Sequence, residues 1–202
     1  MESIEFRINE CMERSLNGQS LDSLSREMKA MKAYLKWIGQ EILPAKIPEG
    51  FTTIEIPYLT RAADPVAGKR IFESKCVNCH GYHGQGLLLP DSSGYQYPPL
   101  WGEASFNVSA GLYRLSRLAA FIKYNMPFTP EPAPPQLSDE EAWDIAAYIS
   151  SQPRPGKRFL YDWPKIETKP PDYPFGPYAD GFSETQHKYG PFIPIIEARK
   201  KF

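Results

Sequence analysis

The residues with the clearest capacity for chemistry are Cys76, Cys79 and His80, which form the pattern C-x-x-C-H. Two thiols on one tight turn can each form a thioether bond with one vinyl group of a porphyrin, and the adjacent imidazole is then directed at the iron. The pattern therefore predicts one covalently attached haem c, with His80 as the proximal ligand of its iron.

Three other interpretations of this motif remain open. A zinc site could use Cys76, Cys79 and a histidine, but the chain has no second cysteine pair to complete it. A thioredoxin-like pair would need a βαβ context, which the sequence lacks. The third alternative is two buried cysteines beside an unrelated histidine. The sequence HGYHGQG at residues 80–86 favours haem, because glycine lets a backbone pass close to a flat macrocycle, and His83 within it is interpreted as a loop residue.

Haem iron also needs a sixth ligand, and Met126 is the candidate. It follows a helical pattern, precedes Pro127 and opens a proline-rich loop. A thioether is a soft, neutral ligand that raises the reduction potential of the iron. Most methionines only fill protein cores, but the position of Met126 favours the ligand role.

A weak internal repeat singles out Cys11. The landmarks of residues 1–43 recur in the second half of the haem-bearing segment, with the pairs Phe6 and Phe121, Cys11 and Met126, Glu27 and Glu141, Met31 and Ile145, and Tyr34 and Tyr148. Cys11 then occupies the place of a sixth haem ligand in a first cytochrome domain, whose own C-x-x-C-H would lie upstream of Met1. The alternative is that Cys11 is a small buried hydrophobic residue.

The elements that must position these residues are mainly helical. Apolar spacing and capping residues predict helices over residues 23–39, 64–75 and 109–125, and another that begins at the capping box of Ser138 and Glu141. Ser109 is the predicted cap of the third, and loops are predicted at 94–102 and 127–135. The fold class is mainly α, with few strands.

The chain divides into four parts. Residues 1–43 are predicted to be the C-terminal part of a first cytochrome c domain, 44–63 a linker with a short extended piece at 51–56, and 64–152 a cytochrome c domain. Residues 153–202 contain many prolines and aromatic residues, so they are predicted to form an extended strap across the folded surface. We call this segment the C-terminal strap.

Composition excludes several classes of protein. The chain has 202 residues and a formal net charge of −1, which is not typical of a nucleic-acid-binding protein. No apolar run is long enough for a membrane span, and no signal peptide is visible. Because haem attachment of this type requires an exported protein, we expect the sequence to begin inside a longer periplasmic protein or to be truncated.

The sequence resembles the di-haem cytochrome c thiosulfate dehydrogenases, which form tetrathionate. The resemblance lies in RINECMERSLNG at residues 7–18, MKAMKAY at 28–34, the C-x-x-C-H motif, NMP at 125–127, and YPFGPYADGF with QHKYGPF at 173–192. It spans nearly the whole chain. The cysteine segment and the aromatic tail are its more specific parts.

The resemblance implies two haems and a reaction. Cys11 would be the thiolate ligand of the catalytic haem, while the haem on Cys76 and Cys79, with His80 and Met126 as ligands, would relay electrons to another cytochrome or redox protein. Two thiosulfate ions would join as tetrathionate and release two electrons. Arg7 is the first candidate to hold the dianion, and Arg14 the second. The first attachment motif is absent, so the alternative is a mono-haem electron carrier without substrate chemistry.

Overall fold

The computed structural model describes residues 3–42, 54–128, 134–157 and 162–200. Helices dominate these residues, and the only strands among them are β1 (Leu87–Leu88) and β2 (Tyr95–Tyr97), which pair antiparallel. The α-helices of the described part are α1 (Ile4–Glu10), α2 (Arg26–Gly39), α3 (Pro65–Lys75), α4 (Val77–His80), α5 (Leu115–Asn125), α6 (Asp139–Ser151), α7 (Glu184–Tyr189) and α8 (Ile193–Arg199). The predicted mainly α class is confirmed.

The core forms where α6 packs between α3 and α5. Helix α6 is apolar around most of its circumference, and Trp143, Ile145 and Ile149 are almost completely buried. Helix α3 can approach closely because Gly68 has no side chain: a Cβ there would lie 1.8 Å from the backbone oxygen of Asp144. This crossing holds the end of α3, and with it the C-x-x-C-H motif, against the core.

The ends of two predicted helices are confirmed in detail. Asp64 caps α3 by accepting a hydrogen bond from the backbone N–H of Val66. At α6, Ser138 and Glu141 form the full capping box, each side chain accepting from the other residue's backbone N–H. Each cap is formed by residues at the start of the helix itself, so the local sequence was enough to predict it.

The predicted start of the third helix at Ser109 is wrong. Residues Gly111–Tyr113 form a 3₁₀ turn, and α5 begins only at Leu115. The Ser109 hydroxyl donates instead to the backbone carbonyl of Lys157. The carboxylate of Asp172 accepts from the backbone N–H of Ser116 at 3.1 Å, so the cap comes from a distant segment.

Between α4 and α5 the chain is irregular except for the strand pair. Strand β2 falls inside the stretch predicted as a loop at residues 94–102, so that prediction is corrected over three residues. Residues 54–63 of the predicted linker form no helix or strand, although Ile56 and Ala63 are buried in the core. The remaining part of the extended piece predicted at 51–56 and the tip of the loop predicted at 127–135 lie outside the described residues.

The C-terminal strap packs on the cytochrome core but is only partly extended. It contains a 3₁₀ turn at Ile166–Thr168 and the two short helices α7 and α8, which the sequence analysis did not predict. Ser183 caps α7 through the backbone N–H of Gln186. Phe192 and Ile195 are buried in the same core as α6.

Arg154, the second residue of the strap, ties it to the loop before α5. Its guanidinium lies over the ring of Phe106, with 4.0 Å between the guanidinium carbon and the ring centroid, and donates to the backbone carbonyls of Leu100 and Phe106. Burial lowers the pKa of Arg154 to about 10. Since arginine stays protonated even so, its charge is stabilised by carbonyl dipoles and aromatic faces.

Residues 3–42 form a small helical unit at the N-terminal end. Helix α2 begins at Arg26, capped by Ser25, slightly later than the predicted start at residue 23. Ile8 of α1 and Met28 of α2 are buried, whereas several large apolar side chains of α2 are exposed, among them Tyr34, Leu35, Trp37 and Ile38.

Candidate functional site

The structure brings Cys76, Cys79 and His80 together at one turn. Helix α3 ends at Cys76, whose backbone N–H bonds to the Phe72 carbonyl, and α4 starts directly after it. Gly81, with φ of +73°, ends α4 in a conformation that favours glycine. No disulfide joins the two cysteines; Cys79 is exposed, while Cys76 is half-buried and burial raises the pKa of its thiol to about 11.

His80 is held by one ring nitrogen. Its Nδ1 lies 3.2 Å from the backbone carbonyl of Pro98, an arrangement in which Nδ1–H donates to the carbonyl oxygen. The Nε2 lone pair is then left for a metal, as in most histidine-ligated metal sites. Burial lowers the pKa of His80, while the Pro98 carbonyl opposes that shift. The neutral form of the imidazole, which is the form able to ligate a metal, is thus favoured.

The glycines after the motif have a role that the sequence analysis did not predict. Gly84 and Gly86 have φ of +58° and +72°. A Cβ on Gly84 would come within 2.5 Å of the Trp101 ring, and one on Gly86 within 2.2 Å of the Tyr97 carbonyl oxygen. These glycines therefore allow the segment that carries Pro98 to lie close to α4.

Met126 lies directly after α5, where its backbone N–H bonds to the carbonyl of Ile122. It is half-buried. Helix α5 packs on α6, which also packs on α3, so the core links Met126 to the C-x-x-C-H turn.

The residues present fit a haem. The donor set comprises two free thiols, an imidazole with one engaged nitrogen, and a thioether at a helix end. Large apolar side chains on β1, β2 and around the end of α5 are more than a third exposed, as expected where a porphyrin would cover them: Leu87, Leu88, Tyr95, Phe121, Tyr124 and Phe128. Within the described ranges, no three His, Cys, Asp or Glu side chains form a group that could hold a metal ion.

Cys11 lies apart from this turn, at the start of a π-helical turn, Cys11–Ser15, that continues α1. We call this segment the cysteine turn. The Cys11 side chain is exposed. The guanidinium of Arg7 pairs with Glu10, whereas that of Arg14 forms two hydrogen bonds with Asp162, of 2.6 and 2.7 Å, and also approaches Glu10.

Comparison with known proteins adds the family. Residues 65–153 match the cytochrome c family. Over 155 residues the chain is 41% identical to the thiosulfate dehydrogenase of Allochromatium vinosum, covering 76% of this chain and 55% of that protein. The thiosulfate dehydrogenase of Psychrobacter arcticus is 42% identical over 163 residues, covering 80% and 48% respectively.

A solved structure agrees. The thiosulfate dehydrogenase TsdBA of Marichromatium purpuratum, in its as-isolated form, superposes with a TM-score of 0.71 at 28% identity, covering 84% of this chain and 38% of that one. The chain belongs to the thiosulfate dehydrogenase family of c-type cytochromes. It spans about half the length of the curated relatives it matches. Its cytochrome c domain binds haem c covalently.

This family member attaches its cysteine turn to the cytochrome c domain through residues that sequence reasoning missed. Asn107 is fully buried and donates its side-chain amide to the backbone carbonyl of Glu13, while its backbone N–H donates to the carbonyl of Arg14. Asp162 of the strap receives the Arg14 guanidinium. No local pattern marks these two residues, because their partners lie far away in the sequence.

The length and the apolar character of the described helices decide whether they could span a membrane. Among the helices of the described ranges, none combines the length and the apolar character needed to cross a bilayer.

Proposed function

We propose that this chain is part of a thiosulfate dehydrogenase, in which two thiosulfate ions are joined as tetrathionate and two electrons leave through the haem of the cytochrome c domain. The observation that carries the proposal is an exposed thiol, Cys11, fixed by Asn107 on a domain that itself transfers electrons. The two-electron balance is complete: a sulfur–sulfur bond forms between two dianions, and both electrons pass to an acceptor.

We further propose that residues 1–43 are the C-terminal part of a first cytochrome c domain. Two residues of α2 support this when compared with their repeat counterparts in α6. Leu35 is 41% exposed and Ile149 only 4%. Tyr34 is exposed, whereas Tyr148 packs its ring 5.3 Å from that of Phe72 in α3. Helix α2 thus exposes large apolar side chains at positions whose counterparts in α6 pack inside the cytochrome core.

Cys11 is the proposed reaction centre and the proposed thiolate ligand of a haem in that first domain. A thiolate can exchange between a metal and a sulfur electrophile, which divides a difficult sulfur–sulfur bond formation into two easier steps. Thiosulfate is a dianion, so cationic side chains must hold it. Arg7 remains the candidate. It pairs with Glu10, but its side chain is 67% exposed, whereas the Arg14 side chain is 15% exposed and pairs with both Asp162 and Glu10.

The haem of the second domain is the proposed electron relay. When bound, it supplies reversible one-electron transfer. His80 holds the neutral ligating form through Pro98, and Met126 is the proposed second ligand. The electron acceptor is proposed to be another cytochrome or redox protein, and the compartment to be the periplasm, because thioether attachment of haem takes place in exported proteins.

The test uses a longer protein, made by extending this chain upstream with a segment that carries a C-x-x-C-H motif for the first haem. Parent and Cys11→Gly proteins are compared for thiosulfate-dependent reduction of ferricyanide and for tetrathionate by cyanolysis. The proposal predicts that Cys11→Gly abolishes both, while the absorbance spectrum of the haem on Cys76 and Cys79 persists. Tetrathionate formation at the parent rate would contradict it, and the alternative of a simple electron carrier would gain.

A further inference from the structure

The anchoring of the cysteine turn to the cytochrome c domain is unusually complete. Asn107 uses both of its amide groups: the backbone N–H donates to the Arg14 carbonyl at 3.1 Å, and Nδ2 donates to the Glu13 carbonyl at 2.7 Å. Nδ2 also donates to Oδ1 of Asn17, just beyond the turn, at 3.1 Å. A π-helical turn leaves backbone groups that an α-helix would bond differently, and here the backbone and the side chain of one buried residue satisfy two of them.

Asn107 is itself fixed from the other side. Its Oδ1 accepts from the backbone N–H of Ser109 at 3.0 Å, and its carbonyl accepts from Ala110. With zero exposed surface and every polar group bonded, the residue has no freedom to follow a moving turn. The turn is therefore held at the place that the loop before α5 dictates.

A second anchor acts on the same turn through charge. The Arg14 guanidinium forms a fork-shaped pair with Asp162, and both side chains are about 15% exposed or less. The hydrogen bond and charge of Asp162 raise the pKa of Arg14. Tyr173 reaches the same carboxylate at 3.4 Å, so the C-terminal strap carries this anchor.

One short segment, residues 98–107, contacts both the C-x-x-C-H turn and the cysteine turn. His80 bonds to Pro98, and the backbone N–H of Leu100 bonds to the carbonyl of Gly84 in the loop after the motif. The same segment continues to Asn107, which holds the cysteine turn. A displacement of Asn107 would thus change where Cys11 stands relative to His80.

We propose that Asn107 and Asp162 are positioning residues that hold Cys11 at a constant distance from the haem on Cys76 and Cys79, so that electrons released at Cys11 pass to that haem at a uniform rate. The inference rests on the proposed function, in which Cys11 is the reaction centre. It assigns Asn107 of the second domain and Asp162 of the strap to the residues that position the sulfur of Cys11.

The test uses the haem-loaded chain, in which Cys11 is the one cysteine that haem attachment leaves reactive. A nitroxide spin label is attached to Cys11, and pulsed electron paramagnetic resonance measures the distribution of distances between the label and the ferric haem iron. The variants are Asn107→Asp, which removes the Nδ2 donors but keeps the shape and the Ser109 acceptor, and Asp162→Asn, which removes the charge facing Arg14.

The matched control is Ser105→Ala. Ser105 lies in the same loop and is buried, and among the described residues its hydroxyl has no hydrogen-bond partner. Asn107→Asp and Asp162→Asn are each expected to give a distance distribution about twofold broader than the parent, because the turn can then open locally. Ser105→Ala is expected to match the parent, and the haem absorbance spectrum should be unchanged in all three.

An unchanged distribution in both anchor variants would overturn the proposal, as would equal broadening in Ser105→Ala, which would indicate general loosening. The two proposals fail separately. If the label stays fixed in the anchor variants while Cys11→Gly still abolishes thiosulfate oxidation in the longer protein, Asn107 and Asp162 are not positioning residues and the proposed function stands. If the distance distribution broadens in the anchor variants but Cys11→Gly still oxidises thiosulfate, Asn107 and Asp162 do position the cysteine turn and the proposed function is wrong.

Discussion

At the scale of single residues, the hydrogen bond from His80 Nδ1 to Pro98 matters most for the haem site. It fixes the tautomer and the ring orientation, and it makes the remaining nitrogen a better donor to iron. Pro98 contributes its backbone carbonyl to this bond, and as a proline it brings no backbone N–H that would need a partner. The neighbouring glycines make the approach possible, since side chains at Gly84 and Gly86 would block it.

Replacing the other proposed ligand gives a direct test. In the haem-loaded chain, Met126→Ala should leave the haem attached, because both thioether bonds remain, but the reduction potential should fall since a soft ligand that favours ferrous iron is lost. Spectroelectrochemistry measures the potential. An unchanged potential and spectrum would assign the sixth position to another residue, and Met12→Ala serves as a control methionine in the cysteine turn.

Residues of the haem motif could be predicted from sequence because their chemistry depends on neighbours in the chain. Cys76, Cys79 and His80 lie within one turn, and the structure places them there. Pro98 and Asn107 could not be predicted in the same way. Their hydrogen bonds join positions that only the tertiary fold brings together, and the types of these residues carry no signal of that.

At the scale of elements, the crossing of α3 and α6 sets the position of the haem motif. Gly68→Ala should destabilise the chain by about 3 kcal/mol, the upper range for overpacking, because the new Cβ would meet backbone rather than a movable side chain. Denaturant unfolding followed by circular dichroism measures the free energy of unfolding.

The control for this change is Gly111→Ala. Gly111 starts the 3₁₀ turn before α5, and a Cβ there would meet nothing within 4 Å. A change within about 0.5 kcal/mol is expected there, as for an ordinary surface substitution. Equal destabilisation by both alanines would mean that the close crossing is not what makes Gly68 necessary.

Helix α5 shows where local signals fail. Its start was predicted at Ser109, but the cap is the carboxylate of Asp172, which accepts from both the backbone N–H and the hydroxyl of Ser116. Asp172 also receives two hydrogen bonds from the guanidinium of Arg114 and is 1% exposed. A cap supplied from the strap cannot be found from the sequence around the helix.

Asp172→Asn should therefore be costly. The variant leaves the Arg114 charge without its anionic partner in a mostly buried setting, and about 3 kcal/mol of the free energy of unfolding should be lost, the lower end for a broken buried ion pair. Thermal unfolding measured by calorimetry gives the loss. Asp91→Asn is the matched control, since Asp91 bonds only within its own exposed turn, to Ser93, and a comparable loss there would contradict the explanation.

At the scale of the whole molecule, the C-terminal strap binds both the cysteine turn and the start of α5. Asp162 binds Arg14 of the cysteine turn, Asp172 caps α5, and Asp180 joins α7 to α8 by bonding to His187 and Arg199. The other ring nitrogen of His187, Nδ1, lies 2.7 Å from the Pro171 carbonyl. The abundance of aromatic residues predicted that the strap would pack, but it did not predict which charges would fix it.

The Asp180 cluster should make stability depend on acid. Burial alone would raise the pKa of Asp180, but hydrogen bonds from Arg199 and His187 outweigh it and hold the pKa below its ordinary value. Because the folded pKa is depressed, this stabilisation is complete above the unfolded value of about 3.9 and is lost as the pH falls through the folded value.

The measurement compares the parent with Asp180→Asn by guanidinium unfolding at neutral pH and at successively lower pH values. The gap in free energy of unfolding between the two proteins should be widest near neutrality and should shrink in acid. A gap that stays constant with pH would show that the carboxylate contributes by shape rather than by charge.

Because the chain is synthesised from its N-terminus, the contacts of the strap can form only after the segments that they hold have been made. Arg14 and Asp162 are 148 residues apart, and Arg114 and Asp172 are 58 apart. A chain that leaves the ribosome N-terminus first therefore exposes the cysteine turn and the start of α5 well before Asp162 and Asp172 are synthesised. The contacts that Asp162 and Asp172 make with these earlier segments can therefore form only late in synthesis, after the core helices have been made.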